Sequence, residues 1–213
     1  MGIPARRSRW WALGAMVFLG LSARPSHATS MVQLTTSQLV DASESIVRGT
    51  VVEVWSELDD QGAIWTRAQV DVSEVLKGDA DTEAVVVDQR GGTYGGLTVD
   101  TGGAARFSVG EDVLLFLETL HGDHVVPVGM VQGKYTIQMD PYVRKLTVRR
   151  FAVPFRAPYD ARFLPALPAA QRLTLDDLET QVRDRVSAGW DGQPIPGASL
   201  DHLRQINRVR GAE

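Results

Sequence analysis

Apolar and polar residues alternate along most of the stretch from Ile46 to Tyr135, and they rarely recur there at helical spacing. IVRGTVVEVWSE, IWTRAQVDVSEVLKG, AVVVDQRGG, GEDVLLFLE and VVPVGMVQGKYTIQM succeed one another, punctuated by Gly-Gly, Lys-Gly and Gly-Asp. A period of two sends successive side chains to opposite faces of a sheet. Five such segments at short spacing predict a mainly β fold, a small five-stranded barrel that is closed or nearly so.

The same pattern sets the expected elements. Thr35-Thr36-Ser37 caps a short N-terminal helix through about Ser43, with Leu39, Val40 and Ile46 turned inward. A first strand runs from Ile46 to Trp55 and a second from Ile64 to Leu76, joined by the turn Leu58 to Gly62. A hairpin symmetric about Asp60 sets Trp55 opposite Trp65 and Glu53 opposite Arg67, with Val52 facing Ala68 and Thr50 facing Val70. Such cross-strand pairs stabilise a sheet by roughly 0.2–1 kcal/mol each. Ala84 to Asp88 reads as a continuously buried strand, and Arg90 to Phe107, with glycines at 91, 92, 95, 96, 102 and 103, as the longest irregular stretch. Val113 to Glu118, a return strand through Pro127, Gln132 to Met139 and Val143 to Arg150 complete the sheet.

Beyond Phe151 the pattern changes. Pro154, Pro158, Pro165 and Pro168 predict a strap over 153–173 without lasting regular structure. Thr174 opens a helix through about Ser187 with the stripe Leu175, Leu178, Val182 and Val186, and Ser199 to Arg208 forms a last, weakly held helix. Residues 174–213 are thus a helical appendage to a domain over 29–152.

At the other end, Arg6, Arg7 and Arg9 precede the uncharged apolar run Trp10 to Leu21. With the small residues of Ser26-His27-Ala28, they predict a signal peptide over 1–28 and a mature protein starting at Thr29. The run is short for the roughly 30 Å of a bilayer core, which favours a cleaved leader over an anchor. The expected location is therefore periplasmic or extracellular. Charge fits that reading. The chain carries 22 basic and 26 acidic residues, net −4, and removing a leader with four arginines leaves −8. A domain so acidic is a poor partner for nucleic-acid phosphates. With no cysteine, the chain has neither disulfides nor a thiol nucleophile, and packing alone must hold it.

Candidate chemistry is sparse. The glycine-rich stretch has no Gly-Lys-Ser/Thr ending and reads as a loop needing unusual backbone angles. His121 and His124 flank a Gly-Asp turn and fall short of a full zinc ligand set. No Gly-x-Ser-x-Gly elbow occurs, and the acidic pairs 59–60, 111–112 and 176–177 are sequence neighbours that diverge on strands. Arg144, Lys145, Arg149 and Arg150 are expected to guard a strand edge. Trp55 and Trp65, beside Glu53 and Arg67, form the candidate binding surface, since exposed indoles are favoured at binding hot spots.

Ile46, Val47, Gly49 and Val51, followed by Val70, Val72, Lys77 and Gly78, carry a resemblance. They resemble the N-terminal domain of tissue inhibitors of metalloproteinases and the related netrin-type module, and GEDVLLFLE is similar to its fourth strand. Exported bacterial proteins without assigned activity share the spacing. The resemblance covers about residues 35–150 and implies an OB-fold whose loops contact another protein. That family reaches the catalytic zinc of its target through an N-terminal cysteine, which this chain lacks, so zinc-chelating inhibition is not implied.

The expected function is a non-enzymatic, exported binding module without cofactor or metal. Its partner is a protein, protease-like or an envelope component, with no nucleic acid and no membrane contact after leader removal. Two alternatives stand beside it. One is a metal-dependent or other hydrolase using the glycine-rich loop and the His121/His124 turn, and the other is a structural envelope protein.

Overall fold

The computed structural model describes residues 32–79, 81–120, 123–150 and 173–208. The expected signal peptide, residues 153–172 of the expected strap, and His121 lie outside them.

The first element is α1 (Thr36–Ala42), started by a reciprocal cap in which Thr35 Oγ1 accepts from Gln38 N and Gln38 Oε1 accepts from Thr35 N. Three long strands follow: β1 (Ser45–Leu58), β2 (Ile64–Lys77) and β3 (Ala84–Arg90). Then come the small hairpin β4 (Gly92–Tyr94) and β5 (Leu97–Val99), the central strand β6 (Asp112–Leu120), and β7 (His124–Pro127). A 3-10 turn (Met130–Gly133) leads to β8 (Lys134–Asp140), β9 (Lys145–Arg150), α2 (Leu175–Ala188) and α3 (Leu200–Arg208).

The main sheet is antiparallel, in the order β3-β2-β1-β6-β8-β9, with β7 also paired to β6. It therefore holds seven strands rather than five, and it does not close into a barrel. The reason lies in β6, which divides one edge between two partners. Val113 to Leu115 pair with β8, whereas Leu117 to Leu120 pair with β7. Gly133 permits the crossing, since a Cβ there would sit 2.7 Å from Phe116 O and from Val128 N and O. β7 comes alongside β3, yet no ladder joins the two among the described residues. It is four residues long and ends in Pro127, which has no N–H to contribute.

Each face of the sheet carries its own core. Val47, Val51, Ala68, Val70, Val87, Val113, Leu115 and Leu117 fill one side. Ile46, Leu114 and Phe116 point to the other, where Leu39 and Val40 of α1, Leu178 and Val182 of α2, and Leu203 of α3 cover them. Burial on both faces explains why β6 reads as an unbroken apolar run. α2 and α3 thus belong to the same core as the sheet. Ionic contacts add to this. Arg185 holds the buried Asp41 carboxylate through two hydrogen bonds of 2.9 and 2.6 Å, and Arg48 reaches Glu179 at 2.8 Å.

The β1–β2 hairpin differs in register from the expectation. Trp55 pairs with Arg67, Glu57 with Trp65, Glu53 with Gln69, Val54 with Ala68 and Val51 with Val70. The hairpin is centred on Gln61, because Asp59 Oδ1 takes the N–H groups of Gln61 and Ala63 while Gly62 adopts φ 78°. Near the turn, the partners expected for Trp55, Glu53 and Ala68 are displaced by two positions, which keeps those side chains on their predicted faces. Beyond the irregularity between Val51 and Glu53, it is Val51, not Thr50, that pairs with Val70, and Val52 is exposed rather than buried. Further along, three irregularities interrupt the β1–β2 ladder and bend it. Gly49 is required there, since a Cβ would lie 2.1 Å from Asp71 O.

Three further expectations change. The glycine-rich stretch is not wholly irregular, because Gly95 and Gly96, both at positive φ, turn the two-residue hairpin between β4 and β5. Ala84 to Asp88 is not buried throughout, since Ala84 and Val86 of this edge strand are exposed. The outer edge of β9 is occupied by the chain at Leu173–Thr174, through Val148 N donating to Leu173 O and a bridge between Thr147 and Thr174.

Candidate binding cleft

Three neighbouring strands place a polar network on one sheet face. Their registers align Trp55, Arg67 and Asp88 in one row and Glu57, Trp65 and Arg90 in the next. Glu57 bridges the rows, accepting from Trp55 Nε1 at 3.1 Å and pairing with Arg67 at 3.0 Å. Arg67 Nε lies 3.2 Å from Asp88 Oδ1, and Asp88 Oδ2 holds His124 Nδ1 at 2.7 Å. His124 then stacks on Trp65, with ring centroids 4.0 Å apart and planes 9° from parallel. Trp65 Nε1 donates to Asp59 Oδ2 at 2.9 Å. That bond first, and then the Ala63 N–H, keeps the Asp59 carboxyl below its usual range.

The candidate residues therefore part company. Trp65 is only 8% exposed, so it is not a bare surface indole; His124, from the strand beside β3, covers it. Trp55 and Arg67 are half-buried in the same network. Glu53 is exposed opposite Gln69 and joins none of these contacts. His124 is not a solvated turn residue, since its side chain is 17% exposed and bonded to a buried carboxylate. Sequence reasoning missed Asp88. The available signal was an acid within the apolar run AVVVDQR, which a buried strand tolerates only beside a partner.

Trp65 also forms part of the wall of a cleft of about 370 Å³. Val126 and Val128 from the β7 segment, Gln89 and Arg90 from β3, and Ile195 from the segment before α3 supply other walls. Glu118 of β6 is the one carboxylate among the lining residues. Its pKa is raised, first by burial, against the opposing pull of His202 and with a further upward push from Glu44. The His202 Nε2 atom lies 3.7 Å from Glu44 and 4.0 Å from Glu118, so α3 places a titratable ring beside two carboxyls at the cleft's edge.

The arrangement is suited to holding an amphipathic body. Apolar walls would bury its carbon skeleton, Arg90 offers a fixed cation, and Glu118 offers an acceptor or a proton. Among the described residues, no three His, Cys, Asp or Glu side chains gather as a metal site, and no helix is long and apolar enough to cross a membrane. No protein-family model and no curated protein sequence matches this chain.

Proposed function

We propose that this chain is an exported binding module that receives an amphipathic ligand, a peptide segment or a small molecule, in the cleft bounded by Trp65, Arg90, Val126, Ile195 and Glu118. The observation that carries this reading is the cleft itself: about 370 Å³ of space with apolar walls and one group of each charge. The ligand site thereby moves from a bare Trp55–Trp65 face to the cleft beside Trp65. A protein partner would insert a side chain or terminus there.

The test is an amide and indole NMR screen of amphipathic fragments against the full chain. Hits should shift the Trp65 indole N–H, and Val126→Trp, which fills the cleft, should weaken them at least about tenfold. Hits that perturb other regions, or that bind the Val126→Trp variant unchanged, would remove the site.

One observation favours a second reading, a hydrolytic centre. The buried Asp88 carboxylate orients His124 Nδ1 at 2.7 Å, as a carboxylate orients a general base. Turnover of any ester or peptide substrate that is abolished by His124→Gln, with the fold retained, would replace binding with catalysis.

A further inference from the structure

Where α3 approaches β6, one ionic contact is unfinished. The Nε2 atom of His202 is shielded from solvent and makes no hydrogen bond. It lies 3.7 Å from Glu44 Oε1, in the turn ahead of β1, and 4.0 Å from Glu118 Oε2 on β6. Both distances exceed a hydrogen bond but suit an ion pair once the ring is charged. Glu44 is fixed from the other side by Thr119, whose Oγ1 donates to Oε2 at 2.6 Å.

The other charged groups around this joint are already engaged. Asp41 of α1 is held by Arg185 of α2, which also reaches Asp191. Lys77 of β2 donates to the Val40 and Ser43 carbonyls, and Asp201 pairs with Arg204 on the exposed side of α3. The same stretch of chain walls the cleft. Residues 195–198, shortly before α3, line it together with Glu118, and Ile195 and Leu203 are buried in one core.

We infer that α3 and residues 195–198 form a movable wall of the cleft, seated or released according to the protonation of the Glu44–His202–Glu118 cluster. With the ring charged, an imidazolium lies between two carboxylates and holds α3 against them. With the ring neutral, that attraction is gone, a buried nitrogen lacks a partner, and two carboxylates stand together with no cation between them. These costs fall on the seated state alone, because release returns all three groups to water. A contact made by protonated groups is present in mild acid and is lost as pH rises, and an imidazole changes charge at roughly pH 5–8. The upward push of burial on the Glu118 carboxyl, reinforced by Glu44, has the same sign. The cleft is therefore walled in mild acid and opens above neutral pH. That consequence for ligand entry rests on the cleft reading; the seating of α3 does not.

Hydrogen exchange in the full chain at about pH 5.5 and about pH 7.5 tests the switch, with each amide's rate divided by its intrinsic rate. Relative to α2, protection of residues 195–208 should fall at least about fivefold between the two, the low end of coupling between linked sites. His202→Gln keeps a polar side chain without the titration and should show equal protection at both. Glu44→Gln removes one attraction and one repulsion, and should shrink the difference seen in the parent. If His202→Gln leaves α3 released at both values, Glu44→Gln decides. Equal protection in the parent, a fall shared equally by α2, or a difference as large as the parent's in either variant would overturn the proposal. Fragment binding and Val126→Trp read the cleft separately. Hits there without the exchange pattern would remove the switch alone, and the pattern without hits would keep the switch and remove the ligand.

Discussion

Glu118 illustrates what a single residue's surroundings decide. Burial raises its pKa despite the nearby His202, so the folded chain holds that proton more tightly than the unfolded chain does. The stability linked to the protonated group is complete below the ordinary glutamate range and is lost as pH rises through the raised value. Glu118→Gln keeps the shape and removes the titration. Its melting temperature should match the parent's in acid and exceed it near neutral pH. Thermal melts across that range decide the matter, and a parent more stable at neutral pH would mean that His202 outweighs desolvation. At this scale the sequence was least legible. Trp65 was expected as an exposed aromatic on the outer face, yet it is buried, because His124 in a strand far along the chain stacks on it. Asp88 needed both Arg67 and His124 to make sense, and no local pattern places the three together.

At the scale of elements, alternation and capping were informative because both are local. The strand pattern of β1 and β2, the Thr174 cap and the stripe of α2 all follow from spacing alone, and Leu175, Leu178, Val182 and Val186 are all buried. Next to the turn the hairpin register was read two positions off, since an Asp59 side-chain turn centred on Gln61 competes with a symmetric one at Asp60. The irregularity at Val51/Glu53, which no alternation signals, then buries Val51 in place of Val52. The α3 helix rests on fewer supports. A nine-residue helix does not persist alone in water, so it depends on Leu203, fully buried, and on Asn207, which donates to Asp41 O at 3.1 Å. Leu203→Ala should cost about 2–4 kcal/mol of docking energy. Hydrogen exchange should then quicken in residues 200–208 while β1, β2 and β6 keep their protection. A uniform loss of protection would instead mean that α3 unfolds only with the whole domain.

For the whole molecule, the sequence announced a β fold but not its closure. Alternation reports that a strand has two faces; it does not report which edges meet, because edge pairing depends on contacts distant in sequence. β6 shares one edge between β7 and β8, and that branch, controlled by Gly133 and a short turn, turns the expected five-stranded ring into a larger, open sheet. The consequence concerns behaviour in a crowd. Among the described residues, β3 and β7 leave unpaired strand edges beside one another, fastened by the Asp88–His124 bond and the ring stacked on Trp65. Released, each edge is a template for another copy's strand, and one molecule offers both halves of a chain-forming joint. The side-chain clasp therefore works as self-protection against polymerisation. His124→Ala should scatter light sooner than the parent on mild heating, at temperatures where circular dichroism still reports folded protein. Equal onset in the two would mean that the edges are guarded by something other than the clasp. In this fold one histidine's grip on a neighbouring strand holds the two edges together, where a fully closed barrel would rely on its backbone.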